Sequence, residues 1–233
     1  MRGGRSTERE LMDDPGVPYL HLERALDELG TINRWLGGHR TTRIGVERLI
    51  RNLSNQTPIR VLDLASGGTD LPAVLAPLRR RFDVTALDVN PLMVEYARRR
   101  GFKANQVTGS AFALPFPDEA FDIVHISLFL HHCTELQAIA LLARARRTAR
   151  IGIVINDLHR HSLAHAAITL LTGLLSRSQI VRNDASASVR SAFTRSELRS
   201  LLLRAGIPGA NLTWQWAFRW CLTVPRESAH GNE

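Results

Sequence analysis

The chain has 233 residues, of which 44% are hydrophobic and 22% charged, and it carries a formal net charge of +8 at pH 7. This length fits one α/β domain with additions, and the composition argues against a disordered chain. Two isolated cysteines argue against a disulfide framework and a zinc-binding Cys pair, and they fit a reducing cytoplasm.

The positive charge raises the question of a nucleic-acid partner. Lys103 is the only lysine, and the arginines are spread along the chain, with two short clusters, at 79–81 and 98–100, where helices should end. Arginines at helix ends complement the helix dipole and stay solvated, which explains these clusters without a nucleic acid. We therefore do not expect a nucleic-acid partner.

The N-terminal quarter of the chain is helical in pattern. Residues 1–16 are polar and interrupted by glycine, which predicts a flexible tail. From Tyr19, leucine and isoleucine recur at three- and four-residue spacings as far as Gly37-Gly38, and a second helix is expected over 41–53. Residues 17–55 are therefore predicted to form a helical cap.

Short β-rich runs then alternate with helical segments. The strand candidates are IRVLDLA, FDVTALD, KANQVTG, FDIVHIS and RIGIVIND, and the helix candidates between them are DLPAVLAPLRRR, NPLMVEYARRRG and TELQAIALLARARR. This alternation predicts a Rossmann-like, doubly wound and mainly parallel α/β sheet over 56–225, with its ligands at the carboxyl ends of the strands.

Three features complete the predicted fold. The stretch 160–193 is a helical insertion after the fifth strand, and LTWQWAFRWCLTV is typical of paired terminal strands whose tryptophans lie mainly in the core. Residues 226–233 are predicted to be a flexible C-terminus. The longest apolar run, 162–175, is too short to span a bilayer.

A nucleoside cofactor is predicted at the strand ends. The first strand leads into a turn of small residues, Ala65, Ser66, Gly67 and Gly68, which gives a ligand access to backbone amides. Asp88 ends the second strand, where a carboxylate can accept hydrogen bonds from both ribose hydroxyls. The residues predicted to complete this site are Asp63, Val89, Asn90, Ser110, Ala111, Phe112 and Ser127.

Four segments, in this order and spacing, resemble the class I methyltransferases that use S-adenosylmethionine (SAM): VLDLASGG, ALDVNPLMVEYAR, GSAFALPFPDEAFDIVHISLFLHH and RIGIVINDLHRH. The resemblance implies that the Ala65–Gly68 turn cradles the methionine part of SAM, that Asp88 holds the ribose, and that S-adenosylhomocysteine (SAH) is the product. The chain departs from the family at Ala65 and Thr69, where glycines are usual, and at Ser110, where Asp is usual.

A narrower resemblance concerns the acceptor of the methyl group. INRWLGGHRTT, NDLHRHSLAHA and SVRSAFTRSELRSLLLRAG resemble a bacterial subgroup associated with type III polyketide and phenolic natural-product biosynthesis. The resemblance implies a phenolic or polyketide-derived small molecule. The predicted substrate-binding residues are Asn33, Trp35, His132, Asp157, His159 and Phe193.

Several alternatives stay open at this stage. Trp35 either walls the acceptor pocket or packs in the core. The 160–193 insertion contacts either an apolar acceptor or a second subunit, so both a monomer and a homodimer remain open. O-methylation is preferred over C- or N-methylation. The rival functions are an RNA methyltransferase and a non-catalytic SAM-binding partner of a biosynthetic enzyme.

Histidines at the strand ends are the candidate general bases. His131 and His132 follow the fourth strand, and His159 and His161 follow the fifth. Imidazole is the side chain best suited to take a phenolic proton near neutral pH, and the family resemblance favours His131 and His132, although each could be purely structural. Their spacing matches no three-ligand zinc pattern, so no metal is predicted.

Overall fold

The computed structural model describes residues 4–14, 16–68 and 70–226. The strands are β1 (Ile59–Leu64), β2 (Phe82–Asp88), β3 (Asn105–Thr108), β4 (Phe121–Ser127), β5 (Ala149–Leu158), β6 (Asn211–Gln215) and β7 (Arg219–Pro225). The helices are α1 (Tyr19–Trp35), α2 (Gly38–Ile50), α3 (Leu71–Leu75), α4 (Pro91–Arg99), α5 (Glu135–Thr148), α6 (Ser162–Leu175), α7 (Gln179–Ser191) and α8 (Arg195–Arg204).

The seven strands form one sheet in the order β3-β2-β1-β4-β5-β7-β6. Strands β1 to β5 are parallel, and β7 runs antiparallel to both β5 and β6. The predicted doubly wound α/β fold and the paired terminal strands are thereby confirmed. The strand order reverses at β1, and the carboxyl ends of β1 and β4 lie side by side there, which is where this architecture places ligands.

The sheet is buried on both faces because its side chains alternate between two cores. Leu62 and Leu64 of β1 pack with α5 and α8 on one face. Val61 of the same strand packs with Val46 of α2 and Leu75 of α3 on the other. This period of two fixes the register of β1 and therefore the position of the loop that follows it.

The insertion after β5 is helical, as predicted, and consists of α6 and α7. Ile168 of α6 and Val189 of α7 pack together and against Ile32 and Leu36 at the end of α1. The insertion and the N-terminal helix therefore face each other across the carboxyl edge of the sheet. Leu170 and Leu174 of α6 remain exposed, and the choice between a monomer and a homodimer stays a prediction.

The helix predicted after β1 is shorter than expected. It ends at Leu75 and continues only as a 3₁₀ turn, Ala76–Leu78. Pro77 has no amide hydrogen to bond the carbonyl four residues earlier, so the α-helix cannot continue through it.

The termini differ in how far the structure describes them. Within the predicted tail 1–16, residues 5–13 are anchored on the body of the protein by hydrogen bonds, as described below, which corrects the expectation of a flexible tail. The predicted tail 226–233 lies outside the described residues apart from Arg226. Among the described helices, none is both long and apolar enough to cross a lipid bilayer.

Candidate active site

A cavity of about 370 Å³ opens at the carboxyl edge of the sheet. Its walls are mainly apolar and come from α1, α6, α7 and the turn between β6 and β7. The polar or loop residues that line it are Glu10, Asn33, Ala65, Ser66, Gly67, Gly68, Ser127, His131, His132, Asp184, Ser188 and Arg219. The structure thus brings the predicted cofactor turn and the predicted histidine pair to one space.

The turn after β1 is held in a conformation that exposes its backbone. The Ser66 amide donates to the Leu87 carbonyl at 3.1 Å. Gly67 has a φ of +55°, and a Cβ placed on it would meet nothing within 4 Å. The turn therefore leaves room for a ligand beside its backbone, as a cofactor cradle requires.

Asp88 at the end of β2 supports this turn directly. One carboxylate oxygen accepts the Gly67 amide at 2.8 Å, and the other accepts the Asn90 amide at 2.9 Å. Burial raises the pKa of Asp88, and these amide hydrogen bonds oppose the rise. Each oxygen keeps a second lone pair, so the carboxylate can accept ribose hydroxyls while it holds the loop.

Asp63, one of the residues predicted to complete the cofactor site, is hydrogen-bonded within the protein. It is buried, and its Oδ1 lies 2.6 Å from Nδ1 of His125, whose Nε2 reaches the Thr42 hydroxyl at 3.0 Å. Its other oxygen, Oδ2, is buried and has no hydrogen-bond partner among the described residues. Asp63 is 1% exposed and is not among the residues that line the cavity, so this acceptor opens to a ligand only after a local rearrangement.

The remaining predicted cofactor residues surround the ends of β2 and β3. Asn90 caps α4 by accepting the Leu92 amide at 2.9 Å, and the Ser110 hydroxyl accepts the Phe112 amide at 3.2 Å. Ala111 is buried, whereas Val89 and Phe112 are 69% and 46% exposed. Because β2 and β3 are neighbours, these two exposed apolar side chains follow adjacent strands, an arrangement suited to a flat ring.

Ala65 is strained where the family usually has glycine. Its φ is +51°, in the left-handed region that costs a residue with a Cβ about 1–2 kcal/mol. The other departure, Thr69, lies outside the described residues.

We expect Ala65→Gly to raise the free energy of unfolding by up to about 1 kcal/mol, because relief of this strain outweighs the added entropy of the unfolded chain. Denaturant titration measures the change. Ala113→Gly, at an exposed loop position without a positive φ, is the control and is expected to destabilise slightly. Equal losses in the two variants would contradict the assignment of strain to Ala65.

Glu10, His131 and His132 form a cluster on the other side of the cavity. His131 and His132 lie in a 3₁₀ turn, Leu130–His132, after β4. Oε1 of Glu10 lies 3.3 Å from Nε2 of His131 and 3.7 Å from Nε2 of His132. The cluster thus joins the predicted histidines to a carboxylate from the N-terminal segment.

Further polar groups orient the members of this cluster. Asp157 accepts from Nδ1 of His131 at 2.6 Å and from its backbone amide at 3.0 Å. Asp13 lies 3.3 Å from Nδ1 of His132, and the Ser188 hydroxyl donates to Oε1 of Glu10. Asp157, predicted to bind substrate, is thus a positioning residue behind His131.

The charges of the cluster stabilise one another. Burial opposes the charged form of His131, but Asp157 and Glu10 outweigh it and raise the pKa of His131 to about 10. Burial likewise favours neutral carboxyls, yet the neighbouring imidazoles keep the pKa values of Glu10 and Asp157 below their usual range.

Arg219 is a buried cation in the cavity wall. Its guanidinium donates to Oδ1 of Asn33 at 2.8 Å, to Oδ1 of Asn156 at 3.2 Å and to the Leu36 carbonyl at 2.9 Å. Burial lowers the pKa of Arg219 to about 10, so the group stays charged at neutral pH. No carboxylate of the described residues forms a salt bridge with it. Asn33, a predicted substrate residue, lines the cavity and holds this cation.

The segment that supplies Glu10 was not predicted to reach the site. Asp184 of α7 accepts the Leu11 and Met12 amides at 2.8 and 2.9 Å, and Arg5 donates to the His131 carbonyl at 2.7 Å. These bonds pair residues more than 120 positions apart. No local periodicity in a polar segment could indicate them.

Four predicted substrate residues do not line the cavity: Asp157, which lies behind His131, and Trp35, His159 and Phe193. Trp35 is 80% exposed, and Phe193 is buried in the core, where the Arg5 guanidinium lies 3.9 Å from its ring centroid. His159 packs on Trp220. The cavity is walled instead by Trp216, which was predicted to be core. A Cβ on Gly37 would lie 2.4 Å from the Trp216 carbonyl oxygen, so only glycine allows the two backbones to approach this closely.

Residues 61–152 match a family model described as a methyltransferase domain. The matched stretch begins in β1, includes the Ala65–Gly68 turn, Asp88 and the histidine pair, and ends in β5. This part of the chain is therefore similar to a methyltransferase domain.

Individual relatives cover different parts of the chain. An uncharacterized methyltransferase of Synechocystis is 33% identical over 115 residues, which are 48% of this chain and 53% of that protein. The ubiquinone/menaquinone biosynthesis C-methyltransferase UbiE of Shewanella piezotolerans is 27% identical over 172 residues, which are 66% of this chain and 68% of that protein. The chain thus spans about half the length of the first relative and about two thirds of the second.

A solved structure extends the likeness over most of the fold. The plantazolicin methyltransferase BpumL, in complex with SAH, has a TM-score of 0.65 at 14% identity. The alignment covers 90% of this chain and 96% of that one. At this identity the likeness shows the shared fold.

Proposed function

We propose that the protein is a SAM-dependent methyltransferase that O-methylates a phenolic or enolic small molecule. The observation that carries the proposal is a single apolar cavity with the cofactor turn on one side and the Glu10–His131–His132 cluster on the other. The match of residues 61–152 to a methyltransferase domain supports the reaction class.

The chain's own groups fit the cofactor. The turn Ala65–Gly68 would lie against its methionine part, Asp88 would accept from its ribose, and the free oxygen of Asp63 would accept from its amino group after a local rearrangement. When bound, SAM supplies a sulfonium methyl group that an in-line nucleophile takes as the carbon–sulfur bond breaks and sulfur keeps the electron pair.

The cavity favours an apolar acceptor with an ionisable oxygen. Its walls are aliphatic side chains such as Leu26, Ile32 and Ile168. Arg219 offers a buried positive charge without a carboxylate partner among the described residues, which stabilises an oxyanion. A phenolate or enolate combines these two properties, and this supports the class of acceptor associated with polyketide biosynthesis.

His132 is the proposed general base. Its side chain is 25% exposed and lines the cavity, so its Nε2 can approach an acceptor hydroxyl. Both ring nitrogens of His131 already face carboxylates, Asp157 on one side and Glu10 on the other. His132 also has carboxylates near both nitrogens, but His131 is only 3% exposed and is hydrogen-bonded to Asp157 at 2.6 Å, so it is better placed to hold Glu10 than to take a proton.

C-methylation of an activated ring is the second candidate. The relative from Shewanella piezotolerans bears the name of a C-methyltransferase, which supports it. A phenolate is nucleophilic at its ring carbon as well as at oxygen, so the same base and the same cavity serve both outcomes.

The proposal places the reaction in the cytoplasm, where the two buried free cysteines stay reduced.

Incubation with SAM carrying a ¹³C-labelled methyl group tests the function. We would use a panel of phenols, enolic pyrones and their carbon-blocked analogues, and locate the label by NMR. A product with a labelled methoxy group supports O-methylation. A product with the label on a ring carbon supports C-methylation instead. SAM binding without transfer to any of these acceptors, or transfer to RNA, would overturn the proposal.

A further inference from the structure

We propose that Glu10, His131 and His132 form a binding site for a divalent transition metal ion of the zinc class. Two imidazole nitrogens and one carboxylate oxygen from these residues lie within 4.8 Å of one another. Imidazole with carboxylate suits Zn²⁺, Fe²⁺ and Co²⁺, whereas Mg²⁺ and Ca²⁺ prefer oxygen ligands alone.

The separations within the cluster are close to those around a bound ion. Ligand atoms about 2.0–2.1 Å from zinc lie roughly 3.3 Å apart in a tetrahedron. Oε1 of Glu10 is 3.3 Å from Nε2 of His131 and 3.7 Å from Nε2 of His132. These two separations are therefore close to those around a bound zinc ion, and the two imidazole nitrogens lie within 4.8 Å of each other.

The groups behind the cluster are the second, independent observation. Histidines that bind metals commonly give their other ring N–H to a carboxylate, which fixes the tautomer and the ring orientation. His131 does this here, since its Nδ1 is hydrogen-bonded to Asp157 at 2.6 Å, and Nδ1 of His132 lies within ion-pair distance of Asp13, at 3.3 Å. Each ring thereby directs its Nε2 towards Glu10.

The position of Glu10 is also fixed. Its segment is bound to α7 through the two amides that Asp184 accepts, and the Ser188 hydroxyl donates to its carboxylate. Without an ion, the charged imidazole of His131 offsets the desolvation of Glu10. A bound cation would take over this role, and His131 would release its Nε2 proton to the solvent as the ion binds.

All three residues line the acceptor cavity, so the remaining coordination position faces the acceptor. The inference deepens the proposed function and rests on it for the role of the ion, which would be to bind the acceptor oxygen as a Lewis acid and favour loss of its proton. In the ion-loaded protein Nε2 of His132 is a ligand, so the ion replaces His132 as the group that activates the acceptor. Binding of the ion itself depends only on the three ligands.

Cobalt titration tests the site. Tag-free, chelator-treated protein is titrated with Co²⁺ while visible absorption is recorded, and Zn²⁺ and Mg²⁺ are then tested as competitors. We expect one Co²⁺ per chain, displaced by Zn²⁺ and not by Mg²⁺. Absence of Co²⁺ binding would overturn the metal site and show that the cluster is an ion-paired network only.

Variants locate the ion. Asp157→Asn, which removes the carboxylate behind His131, should weaken Co²⁺ binding about 10- to 100-fold. Glu10→Gln and His132→Ala, which remove ligands, should weaken it further. Glu47→Gln on the exposed face of α2 and His161→Ala beside His159 are controls expected to retain binding.

Two results separate this inference from the proposed function. Co²⁺ binding that survives in Glu10→Gln but is lost in His161→Ala would place the ion at the His159–His161 pair and overturn the proposed site. A cobalt-loaded protein that transfers no methyl group to any acceptor would overturn the proposed function and leave the metal site in place. Circular dichroism confirms that each variant is folded.

Discussion

Replacing Asp88 with Asn is expected to weaken SAH binding by about 1–3 kcal/mol, the usual worth of a charged hydrogen bond. The loss has two physical sources. The variant removes the charged acceptor proposed for the ribose, and it weakens the bond that holds the Gly67 amide at 2.8 Å. Isothermal titration calorimetry with SAH measures the change in dissociation constant.

Asp83→Asn is the matched control for this variant. Asp83 lies on the same strand, β2, but at its exposed amino-terminal end. Its replacement should leave SAH affinity unchanged. Equal affinity of Asp88→Asn and the unaltered protein for SAH would remove Asp88 from the cofactor site.

Replacing His132 with Ala is expected to lower the turnover number about 10²- to 10⁴-fold, the usual contribution of a general base. Affinity for SAH should not change, because His132 lies across the cavity from the Ala65–Gly68 turn. Single-turnover transfer of labelled methyl to the best acceptor of the panel measures the rate, and calorimetry measures the affinity.

His21→Ala, an exposed histidine on α1, is the control and should keep full turnover. Two results would contradict the role of His132. One is unchanged turnover in His132→Ala, and the other is a loss of SAH affinity that accounts for the whole loss of rate.

The fold was predictable because its signals are local. Strand β1 and its neighbours are short β-rich runs between helical segments. Val61, Leu62 and Leu64 are all buried, on alternate faces of the sheet, because a parallel sheet has a core on each side. The helix after β1 ends at Leu75, earlier than predicted, because Pro77 cannot continue the α-helix. The sequence alone does not show how many residues before this proline are α-helical.

The cofactor side of the site was predictable for a related reason. In a parallel sheet, the residues that follow adjacent strands must meet at one edge, so the turn after β1 and Asp88 after β2 lie together. The prediction did not include the pairing of Asp63 with His125. That hydrogen bond joins neighbouring strands β1 and β4, and the sequence does not indicate which strands are neighbours.

The acceptor side was predicted less well because its contacts are distant in sequence. Glu10 meets His131 through a polar segment without periodicity, and Arg219 reaches Asn33 across 186 positions. Trp216, predicted to lie in the core, lines the cavity, and Trp35, expected in the pocket wall or the core, is exposed. Both lie next to turns, where hydrophobicity does not show which side chain faces the cavity.

The measurement that tests the central claim most directly is calorimetric titration of the purified protein with SAH. The account predicts binding of one SAH per chain with micromolar affinity, because the turn Ala65–Gly68 lines the cavity and Asp88, which accepts the Gly67 amide, is proposed to hold the ribose. Absence of binding at millimolar SAH, from a protein that is folded by circular dichroism, would contradict the account.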